Sequence, residues 1–152
     1  MRFERFILIS LLILFCSKAY TQTRKYAGSY FYGDTIPQGA IDIYPESDTT
    51  LLFSIYLINS NYHMGFNMGR IHIRKDSAIF ENINPNHYNC RLYFEFKMNA
   101  LTVKTIGEHN DCGYGYGVMS DGVYHRTNDK IPEYTLTPES DTVYFKKYSL
   151  EK

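Results

Sequence analysis

"CRLYFEFKMNALTVKTI", Cys90 to Ile106, alternates twice. Leu92, Phe94 and Phe96 stand between Arg91, Tyr93 and Glu95; then Leu101 and Val103 stand between Thr102 and Lys104. A period of two places the apolar set on one face of a β-strand and the polar set on the other. The "MNA" between the two runs fits a tight hairpin turn. The same pattern recurs in both directions along the chain. Upstream lie "YAGSYFYG" (26–33), "GAIDIYP" (39–45), "TLLFSIYLI" (50–58), "HMGFNMGRIHIRK" (63–75) and "SAIFEN" (77–82). The run 50–58 is apolar on much of both faces, as a central strand is. Gly65 and Gly69 mark bulges or close backbone contact within 63–75. "NPNHYN" (84–89) is a turn cluster.

Downstream, "CGYGYGV" (112–118) has glycine at the alternate positions Gly113, Gly115 and Gly117. A Walker loop needs Lys-Ser/Thr after its last glycine, and the dinucleotide fingerprint needs G-x-G-x-x-G before a helix. Neither is present. The period of two reads as a strand, with the glycines on one face and Tyr114, Tyr116 and Val118 on the other. The bare glycine face admits either a neighbouring aromatic ring or a partner. The turn "SDG" leads into a return strand "VYHR" (123–126), which adds Tyr124 and Arg126. "NDKIPEYTLTPESD" (128–141) reads as an irregular crossover, and "TVYFKKYSLEK" as a last strand and a frayed basic end. No segment after the N-terminal run shows helical periodicity. About eight or nine short strands at even spacing predict an all-β domain, a small antiparallel up-and-down barrel or closed sandwich with a lipocalin-like meander. The expected organisation is a leader at 1–22, a barrel at 23–127, and residues 128–152 packed on it.

Composition narrows the function. The chain has 152 residues, 16 basic and 16 acidic. That balance speaks against a nucleic-acid binder and against a polybasic membrane-surface protein. "MRFERFILISLLILFCSKAYTQ" has the layout of a secretory signal: Arg2 and Arg5, an apolar run from Phe6 to Cys16, then small and polar residues. The run is shorter than the roughly 20 residues that span a bilayer. Cleavage is expected near Ala19 or Gln22, leaving a slight acidic excess and no integral membrane segment. Bulky Phe15 before Cys16 disfavours lipidation, so Cys16 belongs to the apolar run. Export to a periplasm or the exterior leaves Cys90 and Cys112, and an even pair in an oxidising compartment reads as a disulfide. Without export, two free thiols remain the other reading.

Candidate chemistry is sparse. His63, His72, His87, His109 and His125 lack paired ligand spacing, and the His109–Asp111–Cys112 cluster falls short of a structural zinc set. No metal and no cofactor are expected. There is no G-x-S-x-G elbow. Asp42, Glu46, Glu81, Glu95 and Asp111 supply carboxylates without a spacing that pairs them. The expectation is therefore no enzyme and no catalytic residue. Tyrosine is abundant, 15 residues, with no tryptophan. Tyr26, Tyr30, Tyr32, Tyr56, Tyr93, Tyr114, Tyr116 and Tyr124 lie in or beside strands, where an apolar body with a polar tip suits both packing and interfaces. The expected binding face is Gly113, Tyr114, Gly115, Tyr116, Gly117, Tyr124 and Arg126.

"CRLYFEF", "LTVKTIG" and "DCGYGYGVMSDGVYHR" together resemble a pattern of small exported bacterial β-domains. In these a cysteine opens a strand of alternating aromatics, and a "CGFG"-like turn precedes "DGxYxR". Such domains occur alone and beside lysozyme-inhibitor-like modules. The matching positions are Cys90, Leu92, Phe94, Phe96, Cys112, Gly113, Gly115, Asp121, Gly122, Tyr124 and Arg126, about a quarter of the chain. Tyr114 stands where the pattern has phenylalanine, and Gly117 is extra. The resemblance implies a fold and a compartment; no inhibitory loop carries over residue by residue. The expected role is an exported binding protein that recognises a protein partner, with a hydrolase as one such partner. The alternative is a lipocalin-like carrier of a small apolar ligand.

Overall fold

The computed structural model describes residues 22–83 and 88–151. Residues 1–21 of the leader, with Cys16, and His87 lie outside the described residues. Eight strands close an antiparallel up-and-down barrel in chain order: β1 (Gly28–Tyr32), β2 (Gln38–Pro45), β3 (Thr50–Ile58), β4 (Met64–Arg74), β5 (Ser77–Ile83), β6 (Asn89–Phe96), β7 (Ala100–Thr105) and β8 (Gly122–Asn128). The opening stretch is the β6–β7 hairpin, with Phe94 opposite Val103 and Phe96 opposite Leu101. Closure joins β8 back to β1 through Arg126 opposite Tyr30, with a register shift between Ser29 and Tyr30.

The apolar face of each strand points inward because that is where water is excluded. Ile41 and Ile43 of β2, Leu51, Phe53, Ile55 and Leu57 of β3, and Leu92, Phe94 and Phe96 of β6 are all buried. Aromatic rings pack against one another along the barrel axis. Phe53 meets Phe80 edge-on at 4.9 Å and Phe94 at 4.9 Å. The two β4 glycines make close contacts, and the strand carries no bulge: its register with β3 runs unbroken from Thr50 opposite His72 to Ile58 opposite Met64. A Cβ on Gly69 would lie 2.3 Å from the Phe80 ring, so only glycine leaves that ring its place.

The crossover holds more structure than its sequence suggests. Residues Tyr134–Leu136 form β9, which pairs with β10 (Thr142–Tyr144), and a one-turn helix follows at Phe145–Tyr148. This tail lies across the outer face of β2 to β4. Ser54 donates to Thr135 at 2.9 Å in a buried bond. Phe145 is buried and stacks on Tyr44 at 5.6 Å. Arg70, held by Glu46 through Nε–Oε2 at 2.7 Å and Nη2–Oε1 at 2.7 Å, donates to the Ser149 carbonyl. The tail is why β3 is apolar on both faces: one side faces the core and the other faces the tail.

The meander sends alternate connections to opposite ends. The connections 33–37, 59–63 and 106–121 gather at one end, called upper here; the tight turns 46–49, 75–76 and 97–99 gather at the lower end. A 3-10 turn at Arg24–Tyr26 plugs the lower end, with Tyr26 buried against Phe96 at 4.7 Å.

Candidate functional site

The glycine stretch is not a strand. It belongs to the 106–121 connection, which folds over the upper mouth as a lid. A 3-10 turn, His109–Cys112, starts it, with the Glu108 amide donating to Asp111 Oδ2 at 3.3 Å. The Cys90–Cys112 disulfide then pins the lid to the start of β6. Asn67, inside β4, donates to the Cys112 carbonyl at 3.4 Å. The chain next turns through left-handed backbone at Gly113 (φ 67°) and Gly117 (φ 70°), which side chains disfavour and glycine does not. Between them Gly115 donates to the Met64 carbonyl at 2.9 Å and accepts from Val118 at 3.0 Å. Two left-handed residues destroy the extended repeat, so Tyr114 and Tyr116 fall on opposite sides. Tyr114 and Val118 point inward; the Tyr114 ring occupies the space a Cβ on Gly65 would need, 2.6 Å away. Tyr116 and Met119 point outward, 84% and 58% exposed.

The ring that fills a bare glycine face is thus the lid's own Tyr114, and the glycine it covers lies on β4. Burial pushes the Tyr114 phenol up, with nearby Asn67 and Ser120 opposing. The lid ends at Ser120, whose carbonyl accepts from Tyr124 at 2.8 Å, and at Asp121, whose Oδ1 accepts from the Thr105 amide at 2.8 Å and the Thr105 hydroxyl at 2.7 Å.

The seven residues expected to share one face are distributed over the molecule. Tyr116 and Gly117 lie on the upper surface, and Gly113, Tyr114 and Gly115 hold the lid together. Tyr124 is 1% exposed inside the barrel, where burial drives its phenol far above the ordinary value. Arg126 is at the lower end, donating to the Tyr30 hydroxyl through Nε at 3.1 Å and Nη2 at 2.6 Å, and to the Lys25 carbonyl at 2.6 Å. The cause is topological: β8 begins at the upper end and finishes at the lower one.

What the upper end does assemble is a cleft of about 260 Å³ between the lid and the β1–β2 and β3–β4 connections. Tyr116, Gly117, Val118, Met119 and Asp121 form one wall; Tyr32, Pro37, Gln38, Leu57, Asn59 and Asn61 are among the residues of the other. Asn59 fixes the wall by donating to the Tyr116 carbonyl at 2.8 Å. Of these, Gln38, Asn59, Asn61 and Met119 carried no pattern in the sequence. Asn59 and Asn61 sit in "NSNYH", an ordinary turn composition, and only barrel closure brings them to the lid.

The remaining candidates are dispersed. Glu46 is held by Arg70, Glu81 pairs with Arg91 at 2.8 Å, and Glu95 lies 3.9 Å from Lys97. Asp42 accepts from Ser29 at 2.6 Å, and burial raises its carboxyl above the ordinary range. Among the described residues no three His, Cys, Asp or Glu side chains gather as metal ligands, and no helix is long and apolar enough to cross a membrane. No protein-family model matches the chain, and neither a curated protein nor a solved structure matches it significantly.

Proposed function

We propose that this is an exported binding protein that recognises a protein partner through the upper mouth of its barrel, with a hydrolase as the class of partner it restrains. One observation carries the reading. Six exposed apolar side chains, Tyr32, Tyr62, Met64, Tyr88, Tyr116 and Met119, gather at this end, with Tyr32, Tyr116 and Met119 lining the cleft and the last two on a lid braced by a disulfide; others, such as Met98 and Tyr144, are spread over the rest of the surface. Rigid tyrosines supply large contact area at low entropy cost, the property that enriches them at interfaces. A braced lid also keeps the ordering cost of binding small. Export is supported by the leader pattern and by the disulfide, which suits an oxidising compartment. The carrier alternative gains no support from an axis packed with rings.

The test is capture. The disulfide-bonded protein, immobilised, is expected to retain a specific partner from an exported fraction, and titration is expected to lower that partner's hydrolytic activity. Replacing Tyr116 and Met119 by alanine should abolish capture with stability changed by less than about 0.5 kcal/mol, as at an exposed surface. Capture of nothing specific, or equal capture by the double variant, removes the reading.

A further inference from the structure

Resting on the reading of the upper mouth as a partner surface, we infer that the cleft receives a cationic side chain, an arginine or lysine, projected by the partner. The cleft's chemistry is one-signed. Its lining includes the rings of Tyr32 and Tyr116, the thioether of Met119, the amides of Asn59 and Asn61, and one charged group, Asp121. No lysine, arginine or histidine lines it. The connections around it, 33–37, 59–63 and 106–121, hold the four carboxylates Asp34, Glu108, Asp111 and Asp121 against two histidines, His63 and His109, and neither lysine nor arginine. His109 Nδ1 lies 3.7 Å from Asp121 Oδ1 but outside the cleft lining, whose one charged group is a carboxylate, so the lining favours a cation over an anion.

The geometry suits a single long side chain. At about 260 Å³ the cleft is smaller than the roughly 300–1,000 Å³ of ordinary small-molecule sites. Asp121 is already oriented, because both Thr105 bonds fall on Oδ1 and, among the described residues, Oδ2 accepts none. A guanidinium or ammonium at the cleft takes that oxygen as acceptor and the tyrosine rings as flanking faces. Ring quadrupoles attract a cation over the face, and a thioether beside them adapts to its alkyl stem.

The probe is N-acetyl-arginine methylamide, with the citrulline analogue as its uncharged isostere, titrated into the isotopically labelled, disulfide-bonded protein over about 1–100 mM, the range of single-side-chain ligands. Amide shifts confined to the Asn59, Tyr116, Met119 and Asp121 neighbourhood are expected for arginine, with citrulline at least about tenfold weaker. Asp121→Asn, which keeps an acceptor for Thr105, should weaken arginine binding about fivefold or more. Tyr116→Ala, at an exposed position that leaves folding intact, should weaken it too. Equal shifts from citrulline, or none from arginine, overturn the inference. The two readings fail separately. A captured partner whose affinity ignores Asp121→Asn and added salt overturns the cationic occupant alone. Arginine binding without any captured partner supports the occupant and removes the partner reading.

Discussion

The two ends of the barrel face the same task, closing a tube of apolar side chains against water, and solve it with different chemistry. The upper end adds covalent and backbone links, the Cys90–Cys112 disulfide, Gly115 on the Met64 carbonyl and two left-handed glycines, to side-chain bonds from Asn59, Asn67, Asp121 and Tyr124. Tyr116, in edge contact with the His63 ring at 6.4 Å, and Met119 face solvent. The lower end uses side chains. The Tyr26 hydroxyl donates to Asp76, Lys25 reaches Asp76 at 3.4 Å, and Arg126 ties Tyr30 to the Lys25 carbonyl. Its polar groups are occupied with one another. Support that lies partly in a disulfide and the backbone leaves the upper end more outward side chains for recognition; at the lower end the polar side chains are engaged, although Met98 stays exposed.

The comparison breaks most visibly at the disulfide. Replacing both Cys90 and Cys112 by serine should cost about 3 kcal/mol, the chain-entropy value for a loop of this length. Chemical denaturation measures it, and hydrogen exchange should show the loss across 106–121 first, with the lower end retaining its protection. If exchange instead accelerates equally at both ends, the lid is not a separate unit. Next comes Arg126→Met, which removes three hydrogen bonds at the lower end and leaves the buried Tyr30 hydroxyl with only its bond to the Tyr26 carbonyl. The expected cost is about 1–3 kcal/mol, with lid protection and arginine binding unchanged. An unaltered denaturation midpoint would show that the lower end closes without the guanidinium.

The smallest effect is a pH dependence. Asp76 lies below its ordinary value of 3.8 because the Tyr26 hydroxyl, and then Lys25, favour the ionised form. Its folded value is lower than its unfolded one. Its contribution is therefore present above pH 3.8 and fades as pH falls through the folded value. The melting-temperature difference between the wild type and Asp76→Asn should shrink on acidification below that pH. A difference that stays constant down to full protonation would mean that the carboxylate charge does not hold the lower end.

The barrel was legible because its signal is carried by side chains that burial sorts. Ile41 and Ile43, Leu92 to Phe96, and Leu101 and Val103 each report an inward face, and two cysteines downstream of a leader pattern report each other. The lid was not legible for the same reason. Glycine has no side chain to sort, so G-x-G-x-G carries a strand's period whether or not a strand forms. What decided its shape was a disulfide at one end and the sign of φ at two residues. β9 escaped notice because three residues between Pro132 and Pro138 make no pattern; its evidence is Thr135 meeting Ser54, far away in the chain. The cleft was hidden because its walls come from three turns whose polar composition is ordinary. Tyr124 and Arg126 lie away from the lid's outer surface because a strand that crosses a barrel separates its own residues.

The seam between β1 and β8 also has a consequence in time. Each of β2 to β8 pairs with the strand just before it, so those hairpins assemble as the chain emerges from synthesis. β1 must wait for β8, whose pairing with it is the most distant in the barrel and includes Ser29 opposite Asn128. Until then its outer edge is an unsatisfied ladder, open to any other extended chain. Slow or interrupted delivery of the last strand therefore selects for association between copies, and the yield of the protein should fall with crowding of unfinished chains well before its finished stability matters.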